Sequence, residues 1–294
     1  MKVLNYGSLN IDFVYSVPHI VRPGETLSST AMKRSAGGKG ANQSASLAKA
    51  GMKVYHAGKI GHDGVWLTEL LREYGVDISF VRLYEGVTGH AIIQLDEQKQ
   101  NCIVLHAGGN GAVTLDEIDE TLSHFGAGDL LVLQNEIVHV DALIRRAHEK
   151  GMKICLNPAP FDVSVLKLPL RLVDLLVVNE IEGAQLAGLP LDSPYPIILD
   201  TLVAQYPESE ILLTIGKHGV LYGCGDIRER GDIVDLPVAD TTAAGDTFIG
   251  YYIAARDHGF PVRESLGLAC KASSIAVSRF GAMESIPLAA EVFG

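Results

Sequence analysis

The stretch 130–156, LLVLQNEIVHVDALIRRAHEKGMKICL, consists of a short apolar run, a helical segment and a second short apolar run. The middle segment predicts a helix over 140–150, and Gly151 follows it, a residue favoured just past a helix C-terminus. Short apolar strands that alternate with helices are typical of a parallel sheet covered by helices on both faces. This stretch therefore favours an α/β fold.

The same alternation extends to both sides of this stretch. Apolar runs recur at 175–178 and 211–215, and helices are predicted over 40–50 and 65–74, again with a glycine directly after each. Two more helices are predicted late in the chain, over about 247–258 and 263–279. Most of the chain therefore fits one mainly parallel sheet with helices on both faces.

One region departs from this alternation. Two strand-like runs, Gly89–Leu95 and Asn101–His106, are joined by the polar residues 96–100, a pattern that predicts a β-hairpin. Upstream, residues 12–34 are extended and lack helical spacing. These segments fit edge strands that complete the main sheet. They also fit a small separate sheet that closes over a small substrate.

Composition restricts the partners and the location of the protein. The 294 residues carry 24 Lys and Arg against 35 Asp and Glu, a formal net charge of −11. Nucleic acids and anionic membranes need a basic surface, so neither is expected, whereas a small phosphate-bearing ligand remains possible. The four cysteines occur singly, the N-terminus does not resemble a signal peptide, and no apolar run reaches the roughly 20 residues of a membrane span. We therefore expect a reduced, cytoplasmic protein.

The strongest chemical signal is a glycine-containing turn directly before a predicted helix. The sequence 240–248, DTTAAGDTF, puts small residues at Ala243, Ala244 and Gly245, which leave backbone N–H groups uncovered at a helix N-terminus. Such a terminus carries unpaired donors and partial positive charge, and it therefore binds anions. Asp246 adds a carboxylate that could take a proton from a hydroxyl attacking a bound phosphoryl group. An Asp N-cap without any ligand would explain the same residues.

A second glycine-rich segment, 36–43 (AGGKGANQ), also precedes a predicted helix. Its spacing does not fit a dinucleotide-binding loop, but its backbone could approach a polyol while Asn42 hydrogen-bonds to it. Near the first predicted strand, Asn10 and Asp12 point to the same side, and an amide beside a carboxylate suits vicinal hydroxyls. Turn chemistry alone would explain both features. No G-x-x-x-x-G-K-[ST] sequence is present, so any ATP site is not a P-loop.

These two glycine-containing segments together resemble the signatures of the ribokinase-like (PfkB-type) carbohydrate kinases. Three segments between them are similar to landmarks of that family: 157–160 (NPAP), 179–182 (NEIE) and 214–219 (TIGKHG). The resemblance runs from Val3 to Ile286. It implies a single domain over residues 1–294, a three-layer α/β/α sandwich with a mainly parallel central sheet and a small β-sheet lid formed by about 12–34 and 88–107.

The resemblance also implies an activity, the Mg²⁺-dependent transfer of the γ-phosphoryl group of ATP to a sugar hydroxymethyl group. Asp246 matches the family's general base, and the backbone amides of Ala243, Ala244 and Gly245 match its anion hole. Asn179 and Glu182 match positions that arrange phosphate, water and Mg²⁺. The other nucleotide positions are Thr214, Gly216, Lys217, Gly219, Gly245 and Lys271, the last of them beside the adenine.

Within the family, the sugar positions are most similar to those of members that phosphorylate D-ribose at O5. They are Asn10, Asp12, Gly38, Lys39, Gly40, Asn42, Glu136 and Asp246, with Ala91, Ile93 and Leu105 as apolar residues of the lid. The resemblance further implies an activating monovalent cation, K⁺, held at Asp240, Thr242, Ala276, Arg279, Gly281 and Ser285. Several of these residues would act through backbone carbonyl groups.

Other functions remain open at this point. A sibling kinase would use deoxyribose, fructose or a purine nucleoside instead, and a non-catalytic scaffold would bind a sugar without turnover. An NAD-dependent oxidoreductase is a more distant alternative. The alternating apolar residues Ala91, Ile93 and Leu95 also predict a homodimer in which the lids of two protomers pack together.

Overall fold

The computed structural model describes residues 1–98 and 100–294. The strands are β1 (Lys2–Tyr6), β2 (Asn10–Ser16), β3 (Ala31–Gly37), β4 (Lys53–Ile60), β5 (Asp77–Leu83), β6 (Gly89–Leu95), β7 (Asn101–His106), β8 (Leu130–Gln134), β9 (Lys153–Asn157), β10 (Leu175–Asn179), β11 (Glu210–Thr214), β12 (Val220–Cys224) and β13 (Ile227–Gly231). The α-helices are α1 (Lys39–Lys49), α2 (Val65–Glu73), α3 (Leu115–Leu122), α4 (Val140–Glu149), α5 (Glu180–Ala187), α6 (Tyr195–Gln205), α7 (Ala244–Asp257), α8 (Val262–Val277) and α9 (Ala289–Phe293).

The main sheet has a mainly parallel arrangement. Within the described residues it contains nine strands in the order β13-β12-β11-β10-β9-β8-β1-β4-β5. Only the pairs β11–β12 and β12–β13 are antiparallel. Because the carboxyl ends of parallel strands meet at one edge, the loops after β1, β8, β9, β10 and β11 gather there. This edge carries most of the polar residues singled out in the sequence.

Both faces of the main sheet are buried. Along β8, Val132 belongs to one hydrophobic cluster, whereas its neighbours Leu131 and Leu133 belong to the other. Helices α1, α2, α7, α8 and α9 contribute to the first cluster, and α3, α4, α5 and α6 contribute to the second. The predicted three-layer α/β/α sandwich is therefore confirmed, because alternate residues of each strand need a layer of helices on their own side.

The predicted helices are confirmed, with one informative difference in their bounds. The helix predicted to begin at about residue 247 begins at Ala244, so Gly245 and Asp246 belong to its first turn. Small residues at a helix start have no strong sequence signature when no side chain caps the terminus, and here Ala243 occupies the N-cap position without a side-chain cap. An Asp N-cap therefore does not explain Asp246.

A second, smaller sheet lies apart from the main one. It contains four strands of the described chain in the order β3-β2-β6-β7, with β2 and β6 parallel and the other two pairs antiparallel. The interpretation as edge strands of the main sheet is therefore wrong, and the separate sheet is confirmed. The chain leaves β1 and enters β2 after three residues. This short connection places Asn10, the first residue of β2, at the junction of the two sheets.

Among the described residues, no helix is both long enough and apolar enough to cross a membrane.

Candidate active site

A cavity of about 520 Å³ opens at the carboxyl-end edge of the main sheet, beside the first turn of α7. It brings together most of the residues predicted from the sequence for nucleotide binding and catalysis, together with one predicted sugar residue. They are Asn179, Glu182, Thr214, Gly216, Lys217, Gly219, Ala243, Ala244, Gly245 and Asp246, with Lys39 from the sugar set. These residues come from four separate segments of the chain. A cavity of this volume suits a small organic ligand. We call it the first cavity.

The first turn of α7 presents free backbone N–H groups to this cavity. Ala243 has a left-handed backbone (φ 59°), and its carbonyl oxygen accepts the N–H of Thr247. Within the described chain, the N–H groups of Gly245 and Asp246 have no protein acceptor. A Cβ atom at Gly245 would meet nothing within 4 Å, so this backbone faces open space. Unpaired donors at a helix N-terminus are suited to bind an anion.

Two amides of α1 hold the carboxylate of Asp246. Nδ2 of Asn42 donates to Oδ2 of Asp246 at 3.1 Å, and Nε2 of Gln43 donates to Oδ1 at 2.9 Å. Oε1 of Gln43 in turn accepts from Nε2 of Gln134 at 2.7 Å. All four side chains are buried, so the direction of the carboxylate is fixed before any ligand binds.

Lys39 lines the first cavity, although the sequence grouped this residue with the sugar site. The negative charge of Asp246 raises the pKa of Lys39, and Glu136 and Glu182 act in the same direction against the effect of burial. Lys39 therefore remains a cation among three carboxylates. A half-buried cation among acidic groups is well suited to meet a phosphate.

A second cavity of about 390 Å³ lies at the base of the smaller sheet. It is lined by Asn10, Leu105 and Glu136 of the predicted sugar residues, and also by Asn110 and Asn135. One oxygen of Glu136, Oε2, accepts from the Ser8 hydroxyl and from the backbone N–H of Lys39 at 2.9 Å. Burial raises the pKa of Glu136. Lys39 thus connects the two cavities, because it lines the first and its backbone N–H donates to Glu136, which lines the second.

Asp12 lies on β2, two residues after Asn10 and on the same face of the smaller sheet. Burial, with a contribution from the charge of Glu136, raises the pKa of Asp12 from 3.8 to about 6. Its carboxylate packs against the backbone of Gly37, where a Cβ atom would lie 2.1 Å from Oδ2 of Asp12. A larger residue at this position would force the Asp12 carboxylate to move.

The other predicted sugar residues surround these groups without all lining a cavity. Gly38 adopts a positive φ of 94°, and a Cβ atom there would lie 3.0 Å from backbone atoms of both Ser8 and Asn10, in and next to the connection between β1 and β2. Gly40 donates its backbone N–H to the hydroxyl of Ser8 at 3.1 Å. On β6, Ala91 is buried beside Asp12 and Ile93 is half-buried, whereas Leu105 on β7 is 58% exposed.

Asn179 and Glu182 form a reciprocal cap at the start of α5. Oδ1 of Asn179 accepts the N–H groups of Ile181 and Glu182, and Glu182 accepts the N–H of Asn179 at 3.0 Å. Burial raises the pKa of Glu182. This pair has a structural role as a capping box, and both residues also line the first cavity.

Lys271 is not brought to the first cavity. Its ammonium group donates to the carbonyl oxygen of Val292 at 2.9 Å, while α8 lines the cavity with Cys270, Ser273, Ser274 and Val277. Residues three and four apart share one face of a helix, and position 271 lies about 100° from that face. The position beside the adenine is therefore not supported by where this side chain lies.

The residues predicted to hold K⁺ lie in two adjacent segments beside the first cavity. The carboxylate of Asp240 accepts from the N–H and hydroxyl of Thr242 and from the N–H of Gly281. Burial opposes the ionisation of Asp240, but these hydrogen bonds outweigh it and lower its pKa. The side chain of Arg279 pairs with Glu291, and the Ser285 hydroxyl donates to the carbonyl of Ala282. The carbonyl of Ala276 accepts from the N–H of Arg279.

Three buried amides were not predicted as site residues. Gln43 and Gln134 support Asp246, and Asn110 contacts Asn10 through a 2.7 Å hydrogen bond. Gln43 falls in the segment 36–43 noted in the sequence, and Gln134 is a polar residue at the end of the apolar strand β8. Asn110 lies among glycines and carries no comparable signal. Their partners lie more than 90 residues away in all three cases. Sequence spacing therefore could not reveal them.

Comparison with known proteins agrees with this geometry. The pfkB family carbohydrate kinase model matches residues 1–289. The ribokinase of Haemophilus influenzae is 31% identical over 290 residues, which cover 96% of this chain and 94% of that protein. The crystal structure of Cryptococcus neoformans ribokinase in complex with ADP superposes with a TM-score of 0.87 at 32% identity, covering 99% of this chain and 98% of the other. The structure of Arabidopsis thaliana ribokinase complexed with ribose and ATP gives a TM-score of 0.85 at 28% identity, with 99% and 97% coverage.

The family match covers nearly the whole chain, and the predicted motifs converge on one pair of neighbouring cavities in a three-layer fold. The chain therefore belongs to the pfkB family of carbohydrate kinases.

Proposed function

We propose that this protein is a ribokinase, which transfers the γ-phosphoryl group of ATP to O5 of D-ribose and releases ADP and D-ribose 5-phosphate. The observation that carries the proposal is Asp246, a buried carboxylate in the first turn of α7 beside free backbone N–H groups. The relatives named ribokinase and the complex of one of them with ribose and ATP support the choice of substrates.

In the proposed reaction, the nucleotide occupies the first cavity and the sugar occupies the second. Asn10, Asp12 and Glu136 hold the sugar hydroxyls, so that O5 points towards Asp246. Asp246 accepts the O5 proton, the new O5–P bond forms, and the bond between the γ-phosphorus and the bridging oxygen of ADP breaks. A positioned base of this kind contributes about 10²–10⁴-fold to the rate.

Negative charge that develops during transfer meets groups that are already in place. The free N–H groups at Gly245 and Asp246 and the cationic Lys39 surround the region where the phosphoryl group would sit. Fixed dipoles and charges of this kind usually supply the largest electrostatic contribution to catalysis. We therefore assign Lys39 to the phosphoryl group as well as to the sugar site.

The residues around the first cavity fit a Mg²⁺ ion that arrives with the nucleotide. Within the described chain, no cluster of three or more His, Cys, Asp or Glu side chains forms a closed metal site. Mg²⁺ is commonly held by one or two carboxylates together with substrate phosphates and water. Glu182, with Asn179 beside it, would provide this contact, and the ion would offset phosphate charge.

We extend the proposal to K⁺, to the role of the smaller sheet and to the assembly. Backbone oxygens around Asp240 and Gly281 would hold K⁺, since hard oxygen ligands suit this ion. The smaller sheet would act as a lid over the sugar, within a single kinase domain.

Exposed apolar residues on β7, among them Ile103 (50%) and Leu105 (58%), support a homodimer through the lids. A cytoplasmic location fits the four free cysteines.

A coupled assay of ADP release tests the function. The panel contains D-ribose, 2-deoxy-D-ribose, D-fructose and adenosine with ATP and Mg²⁺, each with and without K⁺. We expect the highest kcat/KM with D-ribose and an increase on adding K⁺. A higher kcat/KM with another panel member would contradict the ribose assignment, and equal rates without K⁺ would contradict the cation site. Ribose binding without any turnover would indicate the non-catalytic scaffold.

A further inference from the structure

We propose that Asn110 is a positioning residue for sugar recognition, because it fixes the side-chain amide of Asn10 with its N–H groups turned towards the sugar. The proposal rests on the proposed function, since it concerns the same sugar site. Asn110 lies between β7 and α3, in the segment that returns from the smaller sheet to the main body of the protein. It lines the second cavity together with Asn10.

The hydrogen bonds of Asn110 determine the orientation of both amides. Its Oδ1 accepts the backbone N–H of Leu9 at 3.1 Å, a group that can only donate. Its Nδ2 is consequently turned towards Asn10 and donates to Oδ1 of Asn10 at 2.7 Å. Oδ1 of Asn10 is thereby used, and Nδ2 of Asn10 is left for a ligand.

Close packing keeps the amide pair in place. Asn110 is 3% exposed and Asn10 is 7% exposed. A Cβ atom at Gly89 would lie 2.2 Å from Nδ2 of Asn110 and 2.5 Å from Oδ1 of Asn10, so the hydrogen bond runs directly over the backbone of β6. The backbone oxygen of Asn110 also accepts the N–H of Val138 at 3.2 Å, which ties it to the loop that carries Glu136.

The orientation of Asn10 matters because Asp12 lies beside it on the same face. Within the described chain, no acceptor is bonded to Nδ2 of Asn10. A sugar hydroxyl can accept a hydrogen from this amide and donate its own hydrogen to the carboxylate of Asp12. If the Asn10 amide were reversed, its Oδ1 and the carboxylate of Asp12 would both face the single hydrogen of the sugar hydroxyl. One of these two acceptors would then have no donor. Asn110 thus selects the arrangement that suits a hydroxyl.

The variant Asn110→Asp tests this inference with little change in size. Its carboxylate still accepts the N–H of Leu9 but no longer donates, so Asn10 should turn its N–H groups towards the carboxylate and its oxygen towards the sugar. We expect kcat/KM for D-ribose to fall about tenfold or more, mainly through KM. We expect the preference for D-ribose over 2-deoxy-D-ribose or 3-deoxy-D-ribose to fall by a similar factor.

A matched control separates this effect from a general loss of stability. Ser209→Ala removes one buried hydrogen bond, to the carbonyl of Val173, at a position remote from both cavities. It should lower the melting temperature without changing the sugar preference. If Asn110→Asp does not fold, Asn110→Ala replaces it, since that variant releases Asn10 and should also reduce the preference.

A second readout needs no substrate. Hydrogen exchange of the Asn10 side-chain NH₂ group, followed by NMR in the ligand-free protein, should be fast in the wild type and slow in Asn110→Asp. An unchanged exchange rate together with an unchanged sugar preference would overturn the inference. Absence of turnover by the wild type on every sugar would instead overturn the proposed function, and the exchange experiment would still decide how Asn10 is oriented.

Discussion

At the scale of single residues, Asp246 is held by two amides from consecutive positions of α1. Asn42 and Gln43 each donate to a different carboxylate oxygen, so the carboxylate cannot rotate without losing both contacts. The side chain is therefore oriented in the free protein, and little ordering is left for the moment of substrate binding. Such preorganisation is what a general base requires.

Asp246→Asn should abolish most turnover while the sugar still binds. The amide has the size of the carboxylate but cannot accept the O5 proton, so we expect kcat to fall by about 10²–10⁴-fold. Isothermal titration with D-ribose should still show binding, because Asn10, Asp12 and Glu136 are unchanged. Asp257→Asn, at the exposed end of the same helix, is the control and should retain full activity. Undiminished kcat in Asp246→Asn would exclude the proposed base.

Asp12 should make the stability of the protein depend on pH. Its pKa is raised to about 6 by burial and by Glu136, so the folded state binds its proton more tightly than the unfolded chain does. The stability that this proton provides is present below pH 3.8 and is lost as the pH rises through about 6. Asp12→Asn should therefore be more stable than the wild type by roughly 1–3 kcal/mol at alkaline pH, with no gain at acidic pH.

Urea unfolding of Asp12→Asn and the wild type at several pH values measures this difference. The exposed Asp235→Asn is the control, and its difference from the wild type should not change with pH in the same way. The gain should be accompanied by weaker ribose binding, since the carboxylate is lost. A stability difference that is the same at every pH would contradict the raised pKa.

At the scale of elements, the first turn of α7 combines helix geometry with an open cavity. Its small residues leave the N–H groups accessible, and the N-cap Ala243 provides no side chain that would occupy them. The proposed anion site therefore depends on backbone geometry, and on the absence of large side chains that would cover these N–H groups.

Gly245→Ala tests the site without disturbing the fold. The added methyl group meets nothing within 4 Å in the free protein, and alanine favours helix, so stability should be retained or rise by up to about 1 kcal/mol. The methyl group would enter the cavity where the phosphate approaches, and we expect KM for ATP to rise about tenfold through loss of one charge-assisted hydrogen bond. Gly267→Ala on α8, also without a contact within 4 Å, is the control. Equal KM values for ATP would argue against the site.

At the scale of the whole molecule, the smaller sheet carries apolar surface that the chain itself does not cover. Ile103 and Val104 on β7 are 50% and 60% exposed, and Ile92 on β6 is 42% exposed. Exposed apolar patches on a sheet commonly mark an interaction surface. In contrast, Ala91 is buried within the chain, so its contribution to the predicted dimer contact is smaller than the sequence alternation suggested.

Light scattering should show a dimer for the wild type and a monomer for Ile103→Glu. A buried, unpaired carboxylate at a lid–lid contact would cost far more than the contact gains. Leu191→Glu, at a similarly exposed residue outside the smaller sheet, should remain dimeric. A monomeric wild type at micromolar concentration would contradict the assembly.

Much of the molecule follows from local sequence patterns. The bounds of β6 and β7 and of the main helices depend on side-chain alternation, helical spacing and glycine at helix ends, all of which act over a few residues. The segments 36–43 and 240–248 also indicated the candidate site, because glycine and small residues before a helix have a direct chemical meaning. These features could be predicted because neighbours along the chain decide them.

The remaining features were decided by tertiary structure. The pKa of Asp12 depends on burial and on Glu136, the direction of Asp246 depends on Gln43, and Lys271 turns to Val292 because of its place on α8. Each of these involves a partner distant in sequence, and a one-residue shift along a helix moves a side chain by about 100°. The sequence alone therefore determined the fold class and the chemical groups of the site, and folding decided which of those groups meet, because electrostatic and hydrogen-bond energies depend on distances that only packing sets.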